Sequence, residues 1–252
     1  LMTRNPHDHL HGQAPRSRGR QNKIDVTTHI YRFGYSNVQV LKSVIGVQTD
    51  TWFRTARKRG DFSTVKTPDG DLLVLTESTL RLAEYHAERL LPYVELDGAK
   101  INLSQVRHNL FAQSVTLRAM RGGSLAAYQT EREIMLGDAR GIKRPDVVWI
   151  SKTGLRIAVE IELTSKWARH FDDFVAGVVA ALDESSGVAA YDRFVVITDS
   201  KALLTRYQES MSAGQPLHVW RKDGGGKWSI AKKTKIPAWI GERVSFRLLE
   251  AA

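Results

Sequence analysis

Two acidic residues, Glu160 and Glu162, interrupt the apolar run of residues 156–163. Successive side chains of a strand point to opposite faces, so both carboxylates are expected on one face, next to Ala158. A carboxylate in such a segment is costly to desolvate unless it is paired or bound to a metal. The pattern therefore predicts that something meets both charges.

A third carboxylate, Asp146, precedes the neighbouring apolar run. Residues 152–154 fit a three-residue hairpin loop with glycine at its left-handed position, and counting back from that loop sets Asp146 opposite Glu160. A slip of one residue would destroy this arrangement. Clustered carboxylates suit Mg²⁺ or Mn²⁺. On a phosphodiester, such ions polarise the phosphoryl oxygen and lower the pKa of the attacking water.

Further residues leave alternatives open. The acids could instead face solvent or pair with Arg144 and Lys166. Lys166 could equally serve as a cation for the phosphate or the attacking water. His108 is a candidate acid, base or phosphate contact, although a lone histidine on a helix is more often structural. Glu131 and Glu133 share one face of the preceding strand, so spacing does not choose between them.

Composition narrows the class of protein. The chain has 252 residues, a net charge of +10 and no cysteine. Excess positive charge favours a polyanionic partner, most often nucleic acid. The lack of cysteine excludes disulfides and thiolate zinc sites. Without a long apolar run or a signal-peptide pattern, we expect a cytoplasmic protein with no membrane insertion.

The N-terminal part has the pattern of a DNA-binding domain. Residues 1–23 are expected to form a flexible basic arm. In the domain at 24–96, helices are predicted at 26–33, 37–45 and 51–59, hairpin strands at 62–66 and 72–75, and a final long helix at 77–91. A basic helix followed by a two-stranded wing is typical of a winged helix-turn-helix. The candidate DNA contacts are Arg54, Arg57, Lys58, Arg59 and Lys66.

The remainder, residues 97–252, has the pattern of an α/β domain in the order α-β-β-β-α-β. Its elements are predicted at 104–121, 127–136, 144–150, 155–163, 165–183 and 193–198. The strand at 193–198 should run parallel to 155–163, because a crossover helix joins them. A helix at 201–212, an edge strand at 217–220, a basic hairpin or loop and a final strand at 244–248 complete the prediction.

Pro145 and Asp146, a gap of thirteen residues, and Glu160-Ile-Glu162 resemble the PD-(D/E)xK nuclease motif, which implies a restriction-endonuclease-like fold. One position departs from that motif, because Glu162 stands where the family usually has lysine. Some restriction endonucleases of that superfamily also carry glutamate there. The lysine's role is then either absent or moved to Lys166.

A wider set of segments is similar to the MobC-type relaxases and replication-relaxation proteins of mobile elements, over about residues 25–215. The segments are Arg107-His108, residues 130–133, residues 144–146 and residues 159–166. The resemblance implies metal-dependent nicking of DNA at a plasmid transfer origin, in duplex and single-stranded form. Relaxosome accessory and coupling proteins are the further implied partners. It also favours Glu131 as the first acid.

The leading hypothesis is thus a nickase in which Asp146, Glu160 and Glu131 bind Mg²⁺ or Mn²⁺. Its catalytic set comprises Glu131, Asp146, Glu160, Glu162, Lys166 and His108. A non-catalytic DNA-binding accessory protein with a decayed nuclease fold is the alternative, and Glu162 favours it. An endonuclease that cuts both strands is a third possibility. Whether a tyrosine such as Tyr128 or Tyr191 joins the cut end is left open.

Overall fold

The computed structural model describes residues 15–134, 143–185 and 189–249, so positions 1–14 of the expected basic arm lie outside the described residues. The chain divides into two compact units, Leu1–Glu133 and Ile134–Ala252. Within the described residues there are eight α-helices and sheets of three, five and two strands. The expected α/β class is confirmed.

The first unit contains five α-helices and four strands in its described part. They are α1 (Pro15–Phe33), β1 (Ser36–Asn37), α2 (Val38–Ile45), α3 (Thr51–Lys58), β2 (Phe62–Thr67), β3 (Gly70–Leu75), α4 (Glu77–His86), α5 (Val106–Arg121) and β4 (Leu125–Thr130). Strands β1, β3 and β2 form an antiparallel sheet in that order. Two short 3-10 turns precede α5.

Helices α2 and α3 form the predicted pair, with bounds within one residue of expectation. The Asn37 side chain caps α2 by accepting a hydrogen bond of 2.9 Å from the Val40 amide. Gly46 ends the helix at φ 68°, a left-handed conformation that glycine adopts without strain. Leu41 and Phe53 are fully buried in one core cluster and so hold the two helices together.

Two helix ends of the first unit differ from the predicted ones by five residues or more. Helix α1 begins at Pro15, so positions 15–23 of the expected flexible arm are helical, and Lys23 forms an ion pair of 2.6 Å with Asp61. Helix α4 ends at His86 instead of Leu91. The Leu91 amide donates to the Tyr31 hydroxyl at 2.6 Å, so this segment is used for packing on the core of the first unit.

Helix α5, expected to open the second domain, packs within the first unit. Its Gln113 is fully buried and accepts hydrogen bonds from the His29 ring, at 3.0 Å, and from the Ser36 hydroxyl, at 2.6 Å. The same side chain donates to the Tyr35 carbonyl at 2.9 Å. The compact units consequently divide between Glu133 and Ile134, whereas the sequence placed its domain boundary at 96/97.

The second unit contains the elements that carry most of the predicted site. They are β5 (Val147–Ser151), β6 (Arg156–Ile161), α6 (Ala168–Leu182), β7 (Arg193–Thr198), α7 (Lys201–Ser210), β8 (Pro216–Lys222), β9 (Trp228–Lys235), α8 (Ile240–Arg243) and β10 (Val244–Leu248). Four strands of the mixed five-stranded sheet lie here in the order β10-β7-β6-β5. Strands β6 and β7 are parallel, as predicted, and α6 connects them.

Helix α6 covers one face of this sheet. Phe174 and Val178 of the helix pack with Ala158 and Phe194 of the strands in one buried cluster. Because Glu160 is two residues from Ala158 along β6, its side chain is directed to the same, helix-covered face. Strands β8 and β9 pair with each other as a separate ribbon, so the predicted edge strand at 217–220 belongs to this ribbon.

Candidate functional site

The register of β5 and β6 is the one predicted from the hairpin loop. Val147 pairs with Val159, and the Asp146 amide donates to the Val159 carbonyl at 3.0 Å. Gly154 has φ 86°, the left-handed conformation that the three-residue loop requires. The paired part of the predicted register is confirmed, but it ends at Val147, because the Asp146 amide shares the Val159 carbonyl and does not continue the ladder to Glu160. Asp146 still lies close enough for its charge to raise the pKa of Glu160.

Backbone hydrogen bonds fix the end of β6 where the acids lie. Oδ2 of Asp146 accepts a hydrogen bond of 2.7 Å from the Ile161 amide, which orients its carboxylate across the strand pair. The Glu162 amide donates to the Ile197 carbonyl at 2.8 Å, so the ladder with β7 extends to this residue. Asp146, Glu160 and Glu162 therefore meet at one end of two neighbouring strands.

Glu160 lies in a buried and incompletely paired environment. Its side chain is 4% exposed, and Oε1 forms an ion pair of 2.7 Å with Lys143. Among the described residues, Oε2 is buried without a hydrogen-bond partner. Burial, together with the charge of Asp146, raises the pKa of Glu160 to about 7, against the opposing effect of Lys143. An orphaned carboxylate oxygen at this position is suited to a cation.

Glu162 has a cation of its own. It is 3% exposed, and its Oε1 forms an ion pair with Lys166, the lysine that the sequence singled out. The Lys166 ammonium also lies 4.8 Å from the centroid of the Phe174 ring. Burial lowers the pKa of Lys166, although the negative charge of Glu160 opposes the shift. Lys166 is thus held at the acids, as one of the sequence alternatives proposed.

Sequence reasoning missed Lys143, which precedes the Pro145-Asp146 pair by two residues. Its amide donates to the Gly177 carbonyl of α6 at 3.3 Å. A Cβ atom at Gly177 would lie 3.0 Å from the Lys143 Cβ, so the absence of a side chain there admits Lys143. The only sequence signal was a cation adjacent to the motif, and the expected partner had been its neighbour Arg144.

The carboxylates at this site are too few to enclose a divalent cation, but they are enough to bind one that keeps other ligands. Within the described ranges, no three histidine, aspartate or glutamate side chains are grouped to hold a metal ion. Mg²⁺ nevertheless binds through one or two carboxylates while it keeps water and substrate phosphate as its other ligands. The Asp146 carboxylate and the orphaned Oε2 of Glu160 meet that smaller requirement.

The other predicted catalytic residues belong to the first unit. Glu131 is exposed in the turn after β4, and His108 is half-buried on α5. Glu133 forms hydrogen bonds of 2.7 and 3.0 Å with Arg32 and accepts another from the Thr130 amide at 2.8 Å. These hydrogen bonds give Glu133 a structural role in the first unit. Glu131 and His108 keep their catalytic roles as predictions only.

The candidate tyrosines are both inaccessible. Tyr128 is 7% exposed and Tyr191 is 1% exposed. Burial raises the pKa of each hydroxyl above its ordinary value. A phenol in such surroundings is a poor nucleophile towards a bulky phosphodiester, because it is neither ionised nor presented to solvent.

The predicted DNA contacts divide into two groups. Arg54, Lys58 and Lys66 are exposed, and Arg57 lies 3.4 Å from Asp71 in an exposed ion pair that contributes little stability. Arg59 differs because its guanidinium makes hydrogen bonds of 3.0 and 2.7 Å to the buried Asp61 carboxylate. Burial raises the pKa of Asp61, but the hydrogen bonds from Lys23 and Arg59 outweigh it and lower that pKa.

No family model, curated protein or solved structure matches this chain. The resemblance drawn from the sequence motifs is therefore a prediction, and the geometry of the site carries the functional argument. No helix in the described ranges has the length and apolar character needed to cross a membrane.

Proposed function

We propose that the protein is a cytoplasmic, metal-dependent DNA nickase that acts at the transfer origin of a plasmid or other mobile element. The observation that carries this proposal is Glu160, a buried carboxylate with an orphaned oxygen, paired with Lys143 and within reach of the charges of Asp146 and Lys166. A buried carboxylate oxygen that lacks a hydrogen-bond partner destabilises the folded state, so a purely structural ion pair would be expected to satisfy both oxygens. A bound divalent cation would offset that cost, and a phosphodiester is the substrate on which such a cation acts.

The first unit would bind duplex DNA as a winged helix-turn-helix. In this assignment α3 is the recognition helix, with Arg54 and Lys58 exposed on it, and the β2–β3 hairpin is the wing that carries Lys66. A helix of this kind enters the major groove while cations on the wing contact phosphates. The net charge of +10 supports a polyanionic partner.

Asp146 and Glu160 would hold Mg²⁺ or Mn²⁺, which when bound polarises the scissile phosphate and acidifies a water molecule. Lys143 keeps one oxygen of Glu160 occupied and so leaves Oε2 as the donor. Lys166, with a lowered pKa and its ammonium at Glu162, can hold the attacking water or donate to a phosphate oxygen. The burial of both candidate tyrosines supports hydrolysis by water over a covalent tyrosyl intermediate.

A plasmid assay tests the proposal. Supercoiled DNA carrying a transfer origin should become open circular with Mg²⁺ or Mn²⁺ and stay intact in EDTA. Asp146→Asn and Glu160→Gln should each slow nicking by about 100-fold or more, because outer-shell partners alone are worth 10- to 100-fold. Glu209→Gln, a matched change at an exposed acid of α7, should retain full activity. Full activity in both site variants would refute the metal site.

One observation favours a non-catalytic alternative, namely that both glutamates already have a lysine partner. A relaxosome or replication-initiation accessory protein with a decayed nuclease fold would bind the same DNA without cutting it. Calorimetry with Mn²⁺ separates the two possibilities. A nickase should show a heat of Mn²⁺ binding, of either sign, that Asp146→Asn lacks, whereas the accessory protein should show the same trace in both. A linear product would instead identify an endonuclease that cuts both strands.

A further inference from the structure

Two exposed tryptophans of the second unit each have an arginine stacked on one ring face. The Arg206 guanidinium lies 3.4 Å from the centroid of the Trp167 ring, and that of Arg169 lies 4.2 Å from the centroid of Trp228. Trp167 is nevertheless 68% exposed and Trp228 is 43% exposed. Each ring therefore has one face backed by a cation and a large area open to solvent.

Trp167 is placed directly beside the acidic site. It follows Lys166, the partner of Glu162, and the Arg206 stacked on it donates to the Lys166 carbonyl at 2.7 Å. The next residue, Ala168, has φ 43°, a left-handed conformation that costs a residue other than glycine about 1 kcal/mol or more. The chain thus maintains a strained turn at the point where Trp167 projects from the start of α6.

The β8–β9 ribbon that carries Trp228 is strongly basic. Residues 216–235 contain six lysines and arginines against one aspartate, a net charge of +5, and every residue of β9 is exposed. The cations are Arg221, Lys222, Lys227, Lys232, Lys233 and Lys235. The lone acid, Asp223, accepts hydrogen bonds from the Gly225 and Lys227 amides in the turn.

Helix α6 supports this ribbon. An isolated two-stranded hairpin is only marginally stable in water. Here the buried Asp172 accepts a hydrogen bond of 2.7 Å from the Trp220 indole, and Leu217 is buried in the core of the second unit. Lysines on an edge strand also protect against aggregation. That role does not require two tryptophans whose rings are left open to solvent.

We propose that Trp167, Trp228 and the ribbon lysines Lys232, Lys233 and Lys235 form a surface that binds single-stranded DNA. Unpaired bases stack on the open faces of the two rings, and the lysines pair with phosphates, as in proteins that bind single strands without reading sequence. This inference rests on the proposed function only for the choice of DNA. It adds to that function the site that would hold a melted strand next to Asp146 and Glu160.

Fluorescence anisotropy in EDTA, where no cleavage occurs, tests the surface. The probes are a labelled oligothymidylate of about 20 nucleotides and a duplex of the same length. Trp167→Ala and Trp228→Ala should each weaken single-strand binding about tenfold, the low end of what stacking contributes per base. The two changes should leave duplex binding within about twofold. Tyr85→Ala, which removes an exposed ring from the first unit, should have no effect on single-strand binding.

Changing Lys232, Lys233 and Lys235 to alanine should reduce the slope of log affinity against log salt for the single strand by about 2, since each phosphate contact contributes about 0.7. The proposed surface is refuted if the variant that carries both Trp167→Ala and Trp228→Ala keeps its single-strand affinity. It is also refuted if that variant loses as much affinity for the duplex as for the single strand. The surface and the nuclease proposal can be refuted separately. Wild-type protein that binds the oligothymidylate but does not nick in Mn²⁺ refutes only the nuclease proposal.

Discussion

At the scale of single residues, burial creates the chemistry of this protein. Glu160 and Glu162 are almost fully buried, and two buried carboxylates are tolerated only because Lys143 and Lys166 accompany them. The pairing is incomplete, since one oxygen of Glu160 has no hydrogen-bond partner in the described part of the chain. Removing a lysine here therefore does more than delete an ion pair, because it leaves an uncompensated charge in an apolar environment.

A second buried polar residue, His29, gives a pH dependence. Burial lowers its pKa to about 4, from 6.5 for the free side chain. The unfolded chain then binds a proton at higher pH than the folded chain, so stability is lost as the pH falls from 6.5 towards 4. The loss should approach about 3 kcal/mol, at 1.36 kcal/mol for each pH unit of the window. Hydrogen exchange of the α1 and α5 amides measures it.

His29→Gln keeps a polar partner for Gln113 but cannot titrate, so its protection should change little over this window. His86→Gln, at the half-buried last residue of α4, is the matched control and should keep the wild-type dependence. The same pH dependence in His29→Gln and the wild type would contradict the assignment.

At the scale of elements, sequence predicted best the features that periodicity and turn chemistry determine. The β5–β6 register agreed with the alternation of side chains and with the position of Gly154, and the bounds of β7 were correct. The packing of α5 could not be predicted in the same way. Periodicity identifies which face of a helix is apolar, but it does not identify the element that covers that face. The bond between Gln113 and His29 joins residues 84 positions apart, and no local pattern predicts it.

The contact between α6 and Lys143 makes Gly177 a sensitive position. Alanine is favoured over glycine in a helix by about 1 kcal/mol. At Gly177, however, the new Cβ would lie 3.0 and 3.1 Å from the Lys143 Cβ and amide nitrogen. Gly177→Ala should therefore lose about 1 kcal/mol of stability through overpacking and should slow nicking, because Lys143 moves away from Glu160. Urea unfolding and the plasmid assay measure the two effects.

The matched control is Gly19→Ala in α1. A Cβ at Gly19 would meet nothing within 4 Å among the described residues, so this change should raise stability by about 0.5–1 kcal/mol. A Gly177→Ala protein as stable as Gly19→Ala would show that Lys143 is not constrained by the helix.

At the scale of the whole molecule, both compact units carry positive charge, but the individual cations differ in whether they are free to contact DNA. The first unit offers exposed cations on α3 and β2, and the second offers the ribbon of β8 and β9. The sequence grouped Arg59 with Lys58 because both are basic and adjacent. In the structure, the buried Asp61 carboxylate engages Arg59, while Lys58 remains exposed. Only cations that neutralise a phosphate, and so release a counterion from the DNA, contribute to the salt dependence of DNA binding.

This distinction predicts the response of duplex binding to salt. Four available cations, Arg54, Arg57, Lys58 and Lys66, should give a slope of log affinity against log salt of about −4 from the first unit, at about −0.9 for each contact. Lys58→Ala should make the slope shallower by about 0.9. Arg59→Ala should leave the slope unchanged and instead cost about 1 kcal/mol of stability, because Asp61 loses one of its two partners and Arg59 is half-exposed. Anisotropy titrations of a labelled duplex at several salt concentrations, with urea unfolding of the same variants, measure both quantities. If Arg59→Ala reduced the slope as much as Lys58→Ala, Arg59 would be a DNA contact, and its bond to Asp61 would have to open when DNA binds.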